Sequence, residues 1–129
     1  MIQVFIPTDA GFNLYENEIK NLYENLQGRI CDNNSFDFVK NNTLFYMFVI
    51  DGMLLGGIYY FKDSEKLFVN AFSKRKFLKE KLACLKLSLS WFKCDIYAEA
   101  QHKETILCLL RLKFKHYKNN IFVYRQNEG

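Results

Sequence analysis

Proline and glycine are scarce in this sequence, with one Pro and six Gly among 129 residues. Such scarcity argues against a disordered chain or a fibrous repeat. Half of the residues are hydrophobic, and 13 Phe and 8 Tyr supply large side chains for a core. A chain of this size and composition buries a core without metal ions or disulfide bonds. We therefore expect residues 1–129 to form a single domain.

The cysteines lack the spacing of a metal site or a redox motif. No two of the four form a CxxC pair, and the two histidines do not stand at zinc-like spacing from them. We expect reduced, mostly buried thiols and no metal ion. The residues concerned are Cys31, Cys84, Cys94, Cys108, His102 and His116.

Long apolar runs are also missing, and none approaches the length of a membrane span. The segment from Met1 to Pro7 has no basic region and is too short for the apolar part of a secretory signal. These features predict a cytoplasmic protein with no membrane partner.

The net charge of +4 is mild, but the cations are grouped. Two groups stand out: Lys74, Arg75, Lys76, Lys79 and Lys81, and then Arg111, Lys113, Lys115 and Lys118. They are compatible with two solvated helix ends or with binding of phosphate groups.

The clearest local signal is Asp51-Gly52 between two apolar runs, 44–50 and 53–61. A two-residue Asp-Gly loop favours the type I′ turn of a β-hairpin. Within the second run, Gly56-Gly57 indicates a β-bulge or a close approach by another backbone.

Apolar periodicity predicts the remaining elements. A helix through Leu26 would stop near Gln27 and Gly28, and 28–43 fits either a short helix or an ordered loop. Ser73 is a candidate N-cap. The other expected elements are strands at 2–7, 67–72, 95–100 and 121–125, and helices at 74–93 and 103–112.

This succession of elements resembles the GNAT superfamily of N-acetyltransferases along nearly the whole chain. The family has a segment Asn-x-x-Ala-x-x-Leu-Tyr-x-x-x-Gly-Phe after its fifth strand, and 102–114 has the same spacing. Phe114 matches, whereas His102, Leu109 and Lys113 replace the Asn, Tyr and Gly. The resemblance implies an α+β, three-layer fold with a mixed, mostly antiparallel sheet of about six strands, flanked by helices.

The resemblance also implies acetyl-CoA as the cosubstrate. The family's acetyl-CoA loop, Gln/Arg-x-x-Gly-x-Gly/Ala, corresponds to 74–79, where Phe77 and Lys79 replace the glycines. Main-chain N–H groups at the start of the next helix would still face phosphate oxygens. Predicted cofactor-binding residues are Phe72, Ser73, Lys74, Arg75, Lys76, Phe77, Leu78, Lys79 and His102.

In the family, a substrate amine attacks the thioester while protein groups move protons. The acceptor would be a small-molecule or protein amine, and a homodimer is compatible with the resemblance. Predicted catalytic residues are Glu99, Tyr97 and Tyr117. A solvent-facing strand explains Glu99 and Tyr97 equally well, and Cys108 is most simply a core residue.

Two other functions stay open at this point. The degraded motifs also fit a GNAT-shaped binding or assembly module without catalysis, and the richness in Lys, Asn, Phe and Tyr suggests a phage or low-GC bacterial source. The cations around Phe77 fit nucleic acid, but acidic residues dilute the charge and no base-reading motif is present, so nucleic acid is not expected.

Overall fold

The computed structural model of the protein describes residues 1–26 and 33–126. Its strands and helices are, in chain order, β1 (Ile2–Phe5), α1 (Ala10–Leu26), α2 (Phe36–Asn42), β2 (Leu44–Ile50), β3 (Met53–Asp63), β4 (Lys66–Ser73), α3 (Leu78–Leu89), β5 (Ile96–Glu99), α4 (Lys103–Arg111), β6 (Lys115–Lys118) and β7 (Ile121–Tyr124). None of these described helices is long and apolar enough to cross a membrane.

The seven strands of the described chain form one sheet in the order β1-β2-β3-β4-β5-β7-β6. Every neighbouring pair is antiparallel except β4 and β5, which are parallel. The α+β class and the mixed sheet are thus confirmed, although the expected count of about six strands was one too low.

Two apolar layers cover the sheet, one on each face. Residues of α1 and α2, such as Ile19 and Val39, are buried with one set of strand side chains. Residues of α3 and α4, such as Cys84 and Leu109, are buried with the other set. Alternation of side chains along each strand separates the two sets, and this gives three layers.

The Asp-Gly hairpin is confirmed. Asp51 and Gly52 have φ angles of 48° and 79°, and both are positive, as a type I′ turn requires. β2 and β3 pair on either side of this turn, with a change of register between Phe48 and Val49. That change leaves Leu55 as the extra residue of a bulge, next to Gly56.

The close approach by another backbone that Gly56-Gly57 indicates in the sequence occurs at Gly56. A Cβ atom at this position would lie 2.2 Å from the carbonyl oxygen of Phe72 and 2.7 Å from the Cα of Ser73. Both contacts are with main-chain atoms of β4, so they are relieved only if the backbone moves. Glycine therefore lets β3 and β4 pair closely beside the bulge.

The third helix starts later than the sequence pattern indicates. Lys74 is not helical: its N–H donates to the carbonyl of Leu55 at 3.0 Å, so that the β3–β4 ladder continues past Ser73. Ser73 therefore closes a strand and is not the N-cap. The N-cap is Phe77, and α3 ends at Leu89, four residues before the end expected for this helix.

The expected strand at 121–125 is present as β7, but its partner β6 was not predicted. All four residues of β6 are exposed, and the segment Lys-His-Tyr-Lys has no apolar alternation to mark it as a strand. Its signal is the Asn119-Asn120 turn, in which Asn119 has a φ of 51°. The short helix within 28–43 is α2, whereas Gln27 and Gly28 lie outside the described residues.

Replacing Gly56 with alanine should destabilise the protein by about 2 kcal/mol, because the new methyl group meets the Phe72 carbonyl. Urea denaturation would measure the change. Gly52→Asn is the control, since nothing lies within 4 Å of that position and Asn tolerates its positive φ. Equal stabilities for Gly56→Ala and the unsubstituted protein would contradict the close approach.

Candidate functional site

The sheet opens where β4 and β5 separate. Their pairing covers Leu67 with Ile96 and Phe68 with Tyr97. Beyond these pairs β4 continues to Ser73 and β5 to Glu99. The divergence between the fourth and fifth strands that the resemblance implies is therefore present.

Main-chain groups of β4 face this opening. The N–H of Lys74 points toward β3, where it bonds to Leu55. Hydrogen-bonding direction alternates along an antiparallel strand, so the N–H and C=O groups of Ser73 and Ala71 point toward the opening. They form a row of donors and acceptors for an extended ligand.

A cavity of about 550 Å³ lies beside the end of β4, the part of that strand that extends beyond its pairing with β5. This is within the usual range for small-molecule sites. Its walls come from β3 and the end of β4, from α3 and from α4, with Leu26 of α1 and Phe48 of β2 completing the lining. The cavity is therefore assembled from segments that are distant in sequence.

Three cations line the cavity: Arg75, Lys81 and Arg111. Arg75 comes from the β4–α3 connection, Lys81 from the first turn of α3, and Arg111 from the end of α4. Burial lowers the pKa of Lys81, while charges at Cys108 and Glu104 act in the opposite direction. The two basic groups of the sequence thus meet at one cavity.

The start of α3 lies beside these cations. Its N-cap, Phe77, makes no side-chain capping hydrogen bond. The first N–H groups of a helix have no partner within the helix, and together with the helix dipole they favour an anion. Glu80, in the first turn, is a carboxylate that partly offsets this positive field.

Two positions that the resemblance assigns to glycine keep a glycine-like backbone. Phe77 has a φ of 69°, and Lys113 has a φ of 76°. Residues other than Gly, Asn and Asp rarely have a positive φ. For such a residue this backbone conformation costs about 1 kcal/mol or more. The Phe77 ring packs against the core on the α3 side of the sheet and does not line the cavity.

The nine residues predicted from the sequence to bind the cofactor differ in whether they line the cavity. Four line the cavity: Phe72, Ser73, Arg75 and Leu78. Lys74 forms a salt bridge to Glu18 of α1. Lys76 and Lys79 are exposed, and neither lines the cavity. His102 is the exposed N-cap of α4 and makes no side-chain capping hydrogen bond.

None of the three residues predicted to be catalytic lines the cavity, and two of them, Tyr97 and Tyr117, are in contact. Tyr97 is buried and contacts the rings of Phe68 and Tyr117, with centroids 5.8 and 5.2 Å away. Tyr117 is on β6, and Glu99 is the exposed last residue of β5. Their roles in proton transfer stay predictions.

Several cavity residues were not nominated as site residues from the sequence. They are Gly56 and Gly57, Lys81, Glu104, Thr105, Cys108 and Arg111, among others. Their common signal is weak, because each stands in a segment that reads as ordinary strand or helix. Lys81 and Arg111 belong to the two basic groups, and this grouping of cations is the one feature of the sequence that indicates a site at these residues.

The described cysteines differ in exposure: Cys84 is buried, Cys94 exposed and Cys108 intermediate. The expectation of mostly buried thiols was therefore wrong for Cys94, which follows α3 in a connecting segment. Cys31 lies outside the described residues. Within the described chain, no three His, Cys, Asp or Glu side chains come close enough together to hold a metal ion.

Alkylation should follow this order of exposure. Burial raises the pKa of the Cys84 thiol to about 11, so little thiolate forms at pH 8 and iodoacetamide should modify Cys84 at least about tenfold more slowly than Cys94. Peptide mass spectrometry of the native protein over time measures both rates. Similar rates would contradict the burial of Cys84, and a urea-unfolded sample supplies the control.

Comparison with known proteins finds the same fold in solved structures of acetyltransferases with very low sequence identity to this chain. No protein-family model matches the sequence, and no curated protein matches it significantly. Among solved structures, the ribosomal-protein-S5-alanine acetyltransferase of Vibrio fischeri superposes with a TM-score of 0.67 at 11% identity, over 98% of this chain and 94% of that chain.

Two further structures agree. An N-acetyltransferase of Staphylococcus aureus Mu50 gives a TM-score of 0.64 at 11% identity, covering 98% of this chain and 99% of that one. The N-acetylglutamate synthase of Neisseria gonorrhoeae gives 0.64 at 15% identity, covering 99% of this chain but 36% of that chain. With seven strands and the opening beside β4, this chain has the fold of the GNAT-type N-acetyltransferases.

Proposed function

We propose that the protein is an N-acyltransferase that transfers an acyl group from acetyl-CoA to an amine of a small molecule or a protein. The observation that carries this proposal is the cationic cavity at the divergence of β4 and β5. It lies on a fold shared with acetyltransferases of known structure. The proposal concerns the reaction class and leaves the amine open.

The residues at the cavity fit the chemistry of coenzyme A. Phosphate oxygens require charge-assisted donors, and Arg75, Lys81 and Arg111 offer three cations beside the start of α3. The amide groups of the pantetheine arm require a partner strand, and the main chain at Ala71 and Ser73 faces the opening. The side chains that could fill the loop at the glycine positions, Phe77 and Lys79, are outside the lining.

One of the similar structures supports the choice of ligand. The N-acetylglutamate synthase of Neisseria gonorrhoeae was determined in complex with coenzyme A and N-acetyl-glutamate. The match covers 99% of this chain and 36% of that chain. Because the identity is 15%, the likeness supports a shared fold, and coenzyme A binding here remains our proposal.

The thioester would supply an activated acyl group, and the protein would orient the amine and accept its proton. Glu99, Tyr97 and Tyr117 are our proposed proton-transfer residues, carried over from the sequence. Glu104 is a carboxylate that lines the cavity itself. A loss of acyl transfer in Glu99→Gln with unchanged acetyl-CoA affinity would assign the proton to Glu99.

A second candidate function is binding of coenzyme A without catalysis. Leu109 stands at the position that the resemblance gives to a tyrosine acid, and it is buried in the core. The three nominated catalytic residues lie outside the cavity lining. A coupled assay for free CoA, run with a panel of amines, separates the two candidates because only an acyltransferase releases the thiol.

Arg75→Ala should weaken acetyl-CoA binding about tenfold, because a charge-assisted hydrogen bond to phosphate is lost. The neighbouring substitution Lys76→Ala is the matched control: it removes the same formal charge from an exposed residue outside the cavity lining. Isothermal titration calorimetry gives both affinities. Absence of any heat with the unsubstituted protein at millimolar acetyl-CoA would reject the proposal.

Acetyl-CoA should protect Cys108 from alkylation. Cys108 lines the cavity, whereas Cys94 is exposed elsewhere. A saturating ligand should slow modification of Cys108 by at least about tenfold, because Cys108 then reacts only in the small fraction of molecules from which the ligand has dissociated. The rate for Cys94 should not change. Unchanged modification of Cys108 under saturation would place the ligand somewhere other than this cavity.

A further inference from the structure

Side chains of α3 and α4 border the part of the cavity that is open to solvent. Residues spaced three or four apart lie on one side of a helix, and both helices contribute such a series to the lining. The two series are Leu78 and Lys81 on α3, and Glu104, Leu107, Cys108 and Arg111 on α4. We name the space bordered by these six residues the α3–α4 cleft.

The α3–α4 cleft is accessible to a ligand. Leu78 is 46% exposed and Leu107 is 49% exposed, although both side chains are apolar and line the cavity. Arg111 is exposed as well, whereas Lys81 and Cys108 are half-buried. A ligand can therefore contact these side chains without any change in the packing of the core.

Two arginines at the cavity have no carboxylate partner. Within the described part of the chain, no ion pair includes Arg75 or Arg111. Lys81 differs from them: burial lowers its pKa, and the charges at Cys108 and Glu104 oppose that shift. Glu104 thus offsets part of the ammonium charge, and the two arginines are the cations best suited to bind anionic groups of a ligand.

Arg75 and Arg111 come from different elements. Arg75 stands three residues before the start of α3, next to the N–H groups to which we assign the diphosphate of coenzyme A. Arg111 is the last residue of α4 and lies about 4.5 Å beyond Cys108 along the helix axis. It therefore adds a cation from the second helix, which the donors at the start of α3 do not supply.

Coenzyme A carries a further phosphate besides its diphosphate. The 3′-phosphate of its ribose is a monoester with nearly two negative charges at neutral pH, and a guanidinium group binds such an anion through paired hydrogen bonds. The adenine ring beside it is flat, and apolar side chains bind its faces by removing them from water. Leu78 and Leu107 offer such apolar surface at the cleft.

We propose that the α3–α4 cleft binds the nucleotide end of coenzyme A, with Arg111 on the 3′-phosphate and with Leu78 and Leu107 against the adenine. This inference rests on the proposed acyltransferase function and specifies its donor. The protein then selects thioesters of coenzyme A that carry the 3′-phosphate. Thioesters of dephospho-coenzyme A, or of pantetheine alone, are poor donors.

The first experiment compares coenzyme A with dephospho-coenzyme A by isothermal titration calorimetry on the full chain. The two ligands differ only in the 3′-phosphate, and a hydrogen bond to a charged group contributes enough to make coenzyme A bind at least about tenfold more tightly. Equal affinities would overturn the inference but leave the proposed function in place. No binding of either ligand would reject both.

Arg111→Gln assigns the 3′-phosphate to its partner. We expect coenzyme A to bind about tenfold more weakly, with the affinity for dephospho-coenzyme A within about twofold of the unsubstituted protein. Lys103→Gln is the matched control, because it removes the same charge from an exposed residue of α4 outside the lining and should keep the preference. Equal losses for both ligands in Arg111→Gln would overturn the assignment.

Adenosine 3′,5′-bisphosphate tests the position of the base, since it has no pantetheine arm. Leu107→Ala should weaken its binding by at least about threefold, because less apolar surface is buried against adenine. Leu110→Ala is the control: Leu110 is 48% exposed on the same helix but does not line the cavity. Equal effects of the two substitutions would overturn the placement of the adenine in the cleft.

Discussion

The close pairing of β3 and β4 at Gly56 determines the shape of the site. Because glycine admits the Phe72 carbonyl, the ladder continues until Lys74 bonds to Leu55. The chain is therefore still extended at residue 74, and only three residues remain before α3 begins at Leu78. The left-handed conformation of Phe77 completes the turn within that distance. The position of the helix start beside the strand opening follows from this one contact.

At two positions the backbone has a conformation that normally favours glycine, although the residue there is not glycine. At Phe77 and Lys113, side chains occupy positions with positive φ that glycine would adopt without strain. The Phe77 ring recovers part of that cost by packing on the core. A motif search that requires glycine fails at such positions, although the backbone still makes the turn. This explains how the fold can be shared with acetyltransferases of known structure at 11 to 15% identity.

The sequence was informative where a local pattern decides the structure. Asp51-Gly52 specifies its turn by itself, and the apolar runs beside it alternate as strands. It was less informative where distant contacts decide. The start of α3 depends on a hydrogen bond from Lys74 to β3, and β6 is a strand only because β7 offers it a partner. Neither contact is visible in the local composition.

The same distinction applies to the site. Phe72, Ser73, Arg75 and Leu78 follow one another closely, so a loop motif suffices to nominate them. Lys81, Cys108 and Arg111 reach the cavity because α3 and α4 pack on the same face of the sheet. Phe48 joins the lining because strand register places it opposite Gly56, and no spacing of residues within one segment encodes that register.

The exposed strand β6 has a consequence for how copies of the protein meet. It ends the sheet on one side, and an edge strand offers unpaired main-chain groups to any other extended chain. Here the strand is four residues long, with Lys115 and Lys118 at its ends. Two such edges brought together would place like charges side by side and gain few hydrogen bonds. The sheet is thereby protected against uncontrolled growth by strand addition at this margin.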